Sequence, residues 1–152
     1  MTLRQEISDA LKVAVKAKDK PTTSTLRLVQ AALKDRDIAA RSGGTSNGVP
    51  DDQVLDLLAK MVRQRQEAAE QFRKGNRPEL AEKEETEIEV IRRFMPRQMD
   101  ETETAKVIDG VIVEVGAKGL KDMGKVMAVL KEHYPGQIDA GKASALVKQR
   151  LS

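Results

Sequence analysis

Residues 54–95 read VLDLLAKMVRQRQEAAEQFRKGNRPELAEKEETEIEVIRRFM, and the spacing within this stretch decides the fold. Val54, Leu58, Met61, Val62, Ala69 and Phe72 recur at three- and four-residue intervals, the period that gathers apolar side chains on one face of an α-helix. Asp51 or Asp52 is placed to cap its start. Gly75 ends it by admitting left-handed backbone. Pro78 opens the next helix in its first turn, where a missing N–H costs nothing, and Leu80, Glu84, Ile88, Ile91 and Met95 follow until Pro96. So short a link as Gly75-Asn76-Arg77 folds two long helices back on each other as an antiparallel hairpin.

Working outward, the same period predicts five more helices and no alternating strand pattern. Thr2 and Gln5 form a capping box ahead of a stripe of Leu3, Ile7, Leu11 and Ala14. A second helix runs from about Pro21 to Arg41 on Leu26, Val29 and Leu33, and the polar segment Gly43–Pro50 breaks it. Beyond Pro96, Asp100 and Glu103 start a helix carrying Ile108, Val111, Ile112 and Val115, which Gly116 and Gly119 end. A sixth helix begins near Asp122 with Met123, Val126, Met127 and Leu130. After Tyr134-Pro135-Gly136, Asp139 caps a seventh, with Ala143, Leu146, Val147 and Leu151 inward. The predicted fold is all-α, in two subdomains: a helical bundle over residues 1–96 containing the long hairpin, and a three-helix domain over residues 100–152.

Composition agrees with packed helices. Only 2% of the 152 residues are aromatic against 39% hydrophobic, so the core falls to Leu, Ile, Val, Ala and Met. With no cysteine, the chain has no disulfide, thiolate nucleophile or thiolate metal site. The amphipathic start carries Glu6 and Asp9 rather than an apolar signal core, and no apolar run reaches the ~20 residues of a membrane span. The expectation is a cytoplasmic protein without a membrane partner.

The net charge of +3 is too small to announce a nucleic-acid partner, but its distribution says more. From Gly116 onward, Lys118, Lys121, Lys125, Lys131, Lys142, Lys148 and Arg150 face only Asp122, Glu132 and Asp139. Lys121 and Lys125 flank a helix start whose amides and macrodipole favour a phosphate, and Gly124 lets another backbone approach. The competing reading is that Asp122 caps this helix, Gly124 permits tight packing and the lysines are simply solvated. Lys142 and Lys148 extend the basic surface along the seventh helix. Without exposed aromatic platforms, contacts fall on the phosphate and ribose of folded RNA, and binding weakens steeply with salt.

Glu82, Glu84, Glu85, Glu87 and Glu89 form an acidic run. Glu84 and Glu87 share a helix face, as a divalent-cation site requires, but hard cations need more oxygen ligands than these. Arg63, Arg65, Arg73, Lys74 and Arg77 on the preceding helix instead predict a charge-matched hairpin. His133, the single histidine, falls at a helix end where it meets the last carbonyls. No phosphate loop, nucleophile elbow, zinc cluster or dinucleotide fingerprint is present, so neither a cofactor nor a metal is expected.

Two stretches carry a family resemblance. Lys121-Asp122-Met123-Gly124-Lys125-Val126-Met127, with Tyr134-Pro135-Gly136 and Asp139-Ala140-Gly141-Lys142, resembles the C-terminal tail of the GatB subunit of tRNA-dependent amidotransferase. Arg63–Phe72 followed by Gly75–Glu84 is similar to the stand-alone relatives of that tail, the YqeY family, and the likeness extends from Leu26 to Leu151. The resemblance implies two all-helical subdomains and an association with tRNA and with carbon-nitrogen ligases that use glutamine as amide donor. It also implies shared acidic positions at Glu84 and Glu87. The ligase chemistry belongs to other domains and subunits of the full enzyme, for which this chain has no room. The expected role is therefore a non-catalytic tRNA-associated module, with Lys121, Gly124, Lys125, Lys142 and Lys148 as RNA contacts. The alternative is a protein-interaction adaptor docking through helices three and four or through Met123 and Met127. No DNA partner is expected.

Overall fold

The computed structural model describes residues 2–42, 48–134 and 136–152. Among these residues there are seven α-helices and no strand. The chain divides into two compact units, Met1–Met95 and Pro96–Ser152.

In the first unit, α1 (Leu3–Lys16) starts from the capping box: the Thr2 hydroxyl accepts the Gln5 amide at 3.2 Å and the Thr2 amide donates to Gln5 Oε1 at 2.9 Å. It ends in a tight reversal. Lys18 N–H donates to Val15 O and Asp19 N–H to Ala14 O, with Lys18 at φ 57 in the left-handed position usually given to glycine. Helix α2 (Lys20–Ser42) follows at once. The expected loop at Gly43–Pro50 lies mostly outside the described residues, but Val49 near its end is buried. Asp37 on α2 holds this region together, accepting Arg4 Nη1 at 2.8 Å, Arg4 Nη2 at 3.0 Å and the Val49 amide at 2.9 Å.

Helices α3 (Asp51–Lys74) and α4 (Pro78–Arg92) form the antiparallel hairpin. Three local expectations change. Pro50, not Asp51 or Asp52, stands at the α3 cap, because the Asp51 carboxylate reaches across to the Leu3 amide, 3.3 Å from each oxygen. Gly75 is right-handed at φ −84 and Asn76 takes the left-handed position at φ 58, which asparagine tolerates better than other residues with a Cβ. Leu80 projects outward while Ala81, turned ~100° further round the helix, is fully buried. The core joins Ile7, Leu26, Val29, Val54, Leu58, Val90 and Ile91 from all four helices.

The second unit contains α5 (Glu101–Val115), a 3-10 turn (Leu120–Asp122), α6 (Met123–His133) and α7 (Ala140–Leu151). Asp100 caps α5 through the Glu103 amide at 2.7 Å, and Gly116 closes it at φ 66. The Met99 amide donates to Gln137 O at 2.9 Å, joining the segment that enters α5 to the α6–α7 link. Ile108, Val111, Val126, Leu130, Ala143, Val147 and Leu151 make a separate core. Each large aliphatic side chain in it contributes roughly 1.5–3 kcal/mol by leaving water.

Candidate nucleic-acid interface

The basic end of the second unit is built around a turn that the sequence does not announce. After Gly116 the chain reaches Lys118 and Gly119, and the Asp122 amide bonds back to Gly119 O at 2.9 Å. The Met123 amide bonds to Leu120 O, so the 3-10 turn runs straight into α6. Asp122 consequently does not cap α6: its carboxylate accepts the Lys118 amide at 2.9 Å. That hydrogen bond, with the charges of Lys125 and Lys121 nearby, holds the Asp122 carboxyl below the usual carboxylate range.

Lys118, Lys121, Gly124 and Lys125 are all exposed. The structure therefore gathers Lys121 and Lys125 around one ionised carboxylate, with the amides of Asp122 and Met123 already spent on the turn. Gly124 has nothing within 4 Å of where a Cβ would sit, so tight packing does not explain it. A glycine inside a helix costs up to about 1 kcal/mol relative to alanine.

Helix α7 contributes differently. Asp139 caps it by accepting the Gly141 amide at 2.8 Å and the Lys142 amide at 3.2 Å, so a carboxylate already occupies this helix start. Lys142 and Lys148 are exposed but stand ~120° apart round the helix, on no common stripe. Arg150 is committed to both oxygens of Asp109, each at 2.8 Å. Met123 and Met127 are half-buried against the second core.

The acidic run pairs with arginines across the hairpin. Arg65 Nε meets Glu87 Oε2 at 2.9 Å with both side chains only 15% exposed, and Arg73 binds Glu85. Glu84, half-buried beside this pair, is pushed above its ordinary pKa by burial and then by the charge of Glu87. Among the described residues no three His, Asp or Glu side chains gather as a metal site. His133 is exposed at the end of α6.

A second basic region escaped the sequence reading. A cleft of about 550 Å³ beside the α1–α2 reversal is lined by Val15, Lys18, Lys20, Thr23, Ser24, Arg27 and Leu28. The signal was there: between residues 12 and 28, Lys12, Lys16, Lys18, Lys20 and Arg27 face a single acid, Asp19.

Comparison with known proteins yields a match to a family model described as Yqey-like protein over residues 4–151. The chain is similar to the altered inheritance of mitochondria protein 41, mitochondrial, of Lachancea thermotolerans, 34% identical over 56% of this chain and 43% of that protein. It is 34% identical over 62% of its length to an uncharacterised protein of Schizosaccharomyces pombe, covering 69% of the latter. A Saccharomyces cerevisiae protein of the same name as the Lachancea one is 25% identical over 71% of this chain and 60% of its own length. The chain thus spans about half the length of the two proteins that share that name.

Proposed function

The chain belongs to the Yqey-like protein family, and from that premise we propose that it is a non-catalytic, tRNA-associated module that contacts the RNA backbone through its C-terminal unit. Lys121 and Lys125 supply the charge, Gly124 the space for close approach, and Lys142 and Lys148 flanking contacts. The observation that carries this reading is Gly124: it is exposed, it faces open space, and it sits between two exposed lysines that lie in the field of Asp122 but form no direct ion pair among the described residues. The likeness to the amidotransferase tail supports tRNA as the RNA and supplies the association with glutamine-dependent carbon-nitrogen ligases. The chain's place is a compartment that holds tRNA: the cytoplasm is our reading, although the names of two relatives point to mitochondria. Among the described residues no helix is long and apolar enough to cross a membrane.

The test is fluorescence anisotropy of total tRNA across a salt series, comparing wild type with Lys121→Glu plus Lys125→Glu. Wild-type affinity should fall steeply with salt and the double variant should lose binding while remaining helical. Gly124→Ala should weaken binding while raising thermal stability, because it fills the approach and improves the helix. A wild type that binds no tRNA at low salt sinks the proposal and favours the protein adaptor.

A further inference from the structure

The cleft between the end of α1 and the start of α2 has the chemistry of a ligand site independent of the C-terminal lysines. Lys18, Lys20 and Arg27 bring three cations to it, and no carboxylate lies within ion-pair distance of them among the described residues. Asp19, the one acid between residues 12 and 28, spends its carboxylate on the Thr22 amide at 3.2 Å and lies in the field of Arg93. Thr23 and Ser24 add hydroxyl donors. Val15 and Leu28 line the same cleft while 47% and 45% exposed, leaving aliphatic surface that the fold does not cover.

A second observation points to the same place. Lys18 holds a left-handed backbone at φ 57, a position where a side chain carries a steric penalty and glycine carries none. Strain of this kind is retained where the side chain has work to do. Here it sets the Lys18 side chain into the wall of the cleft.

We infer that this cleft binds a nucleoside phosphate, its phosphates held by Lys18, Lys20 and Arg27 with the hydroxyls of Thr23 and Ser24, and its nucleoside resting on Val15 and Leu28. The cleft is open to solvent, and its volume of about 550 Å³ gives room for a small molecule. The hydroxyls and aliphatic side chains beside the cations suit a nucleotide better than a phosphate backbone read by charge alone. This inference goes beyond the tRNA reading and does not rest on it.

The experiment is isothermal titration of the full chain with ATP and, separately, with inorganic pyrophosphate, followed by amide shift mapping. ATP should bind saturably at one site, more tightly than pyrophosphate, with shifts centred on residues 15–28. Lys20→Ala plus Arg27→Ala should weaken it by roughly tenfold or more, and Lys106→Glu on α5 should leave it unchanged. Lys18→Gly is decisive because it should weaken ATP binding while the melting temperature holds or rises, whereas a merely structural lysine would leave affinity intact. No saturable ATP binding, shifts elsewhere, or equal affinity for pyrophosphate overturns the inference. So does binding at these residues confined to tRNA or to vesicles of anionic phospholipid.

Discussion

Glu84 illustrates how one side chain can work against the fold that holds it. The Arg65–Glu87 pair satisfies its own charges between α3 and α4, and Glu84 is left half-buried beside it with Glu87's charge adding to the cost of ionisation. Its folded pKa lies above the ordinary 4.5, so its carboxylate destabilises the fold at neutral pH. The penalty is relieved as pH falls through the raised value. Glu84→Gln should therefore raise the melting temperature at pH 7, and the gain should vanish well below pH 4.5, where wild-type Glu84 is protonated in both states. Melting curves across that range check this. The spacing of Glu84 and Glu87 showed that the two acids share a face, but which of them wins the arginine depends on the hairpin's register, and that is a tertiary fact. Lys18 was illegible for a related reason: lysine carries no turn signal, and its left-handed backbone belongs to the hydrogen-bonded reversal that joins α1 to α2.

At the scale of elements, sequence was most informative where local chemistry and periodicity agree. The link Gly75-Asn76-Arg77-Pro78 announced the hairpin, and only the choice of left-handed residue shifted, from Gly75 to Asn76. Asp100 and Asp139 cap their helices as their positions predict. Asp51 and Asp122 fail as caps because a distant or non-helical amide outcompetes the helix's own: Leu3 for the one, Lys118 for the other. The candidate lysines were legible as residues, but the 3-10 turn that arranges Lys121 and Lys125 around Asp122 was not, since its hydrogen bonds follow from how α5 and α6 are joined. The element contact most open to test is Asp37, whose carboxyl is held below its usual range chiefly by hydrogen bonding to Arg4. Its contribution is complete above its ordinary pKa of 3.8 and is lost as pH falls through the lowered value. Asp37→Ala should cost about 1–2 kcal/mol at pH 7 by denaturant unfolding, Arg4 being partly exposed, and the difference from wild type should shrink in acid.

For the whole molecule, the informative fact is that the two cores share no residue: one draws on α1 to α4, the other on α5 to α7. Apolar periodicity identified most of the buried positions in each, because a stripe of Leu, Ile and Val needs no tertiary information to be recognised. Val126→Ala removes two methyl groups from a fully buried site and should cost about 1–3 kcal/mol. Hydrogen exchange should then accelerate in residues 97–152 and stay unchanged in α3 and α4; faster exchange in the hairpin would show that the cores unfold together.

The Asn76 reversal has a consequence for how the chain is made. Because α3 and α4 meet through partners close in sequence, joined by a link that already points them back, their pairing needs little loop closure. Helices α1 and α2 must instead find that hairpin across the intervening segment, through the long-range ties of Leu3 to Asp51 and of Arg36 to Asp56. A nascent chain emerging from the ribosome thus acquires its most extensive helix pair as soon as Met95 is free, and the amino-terminal helices, though synthesised first, have their scaffold only then.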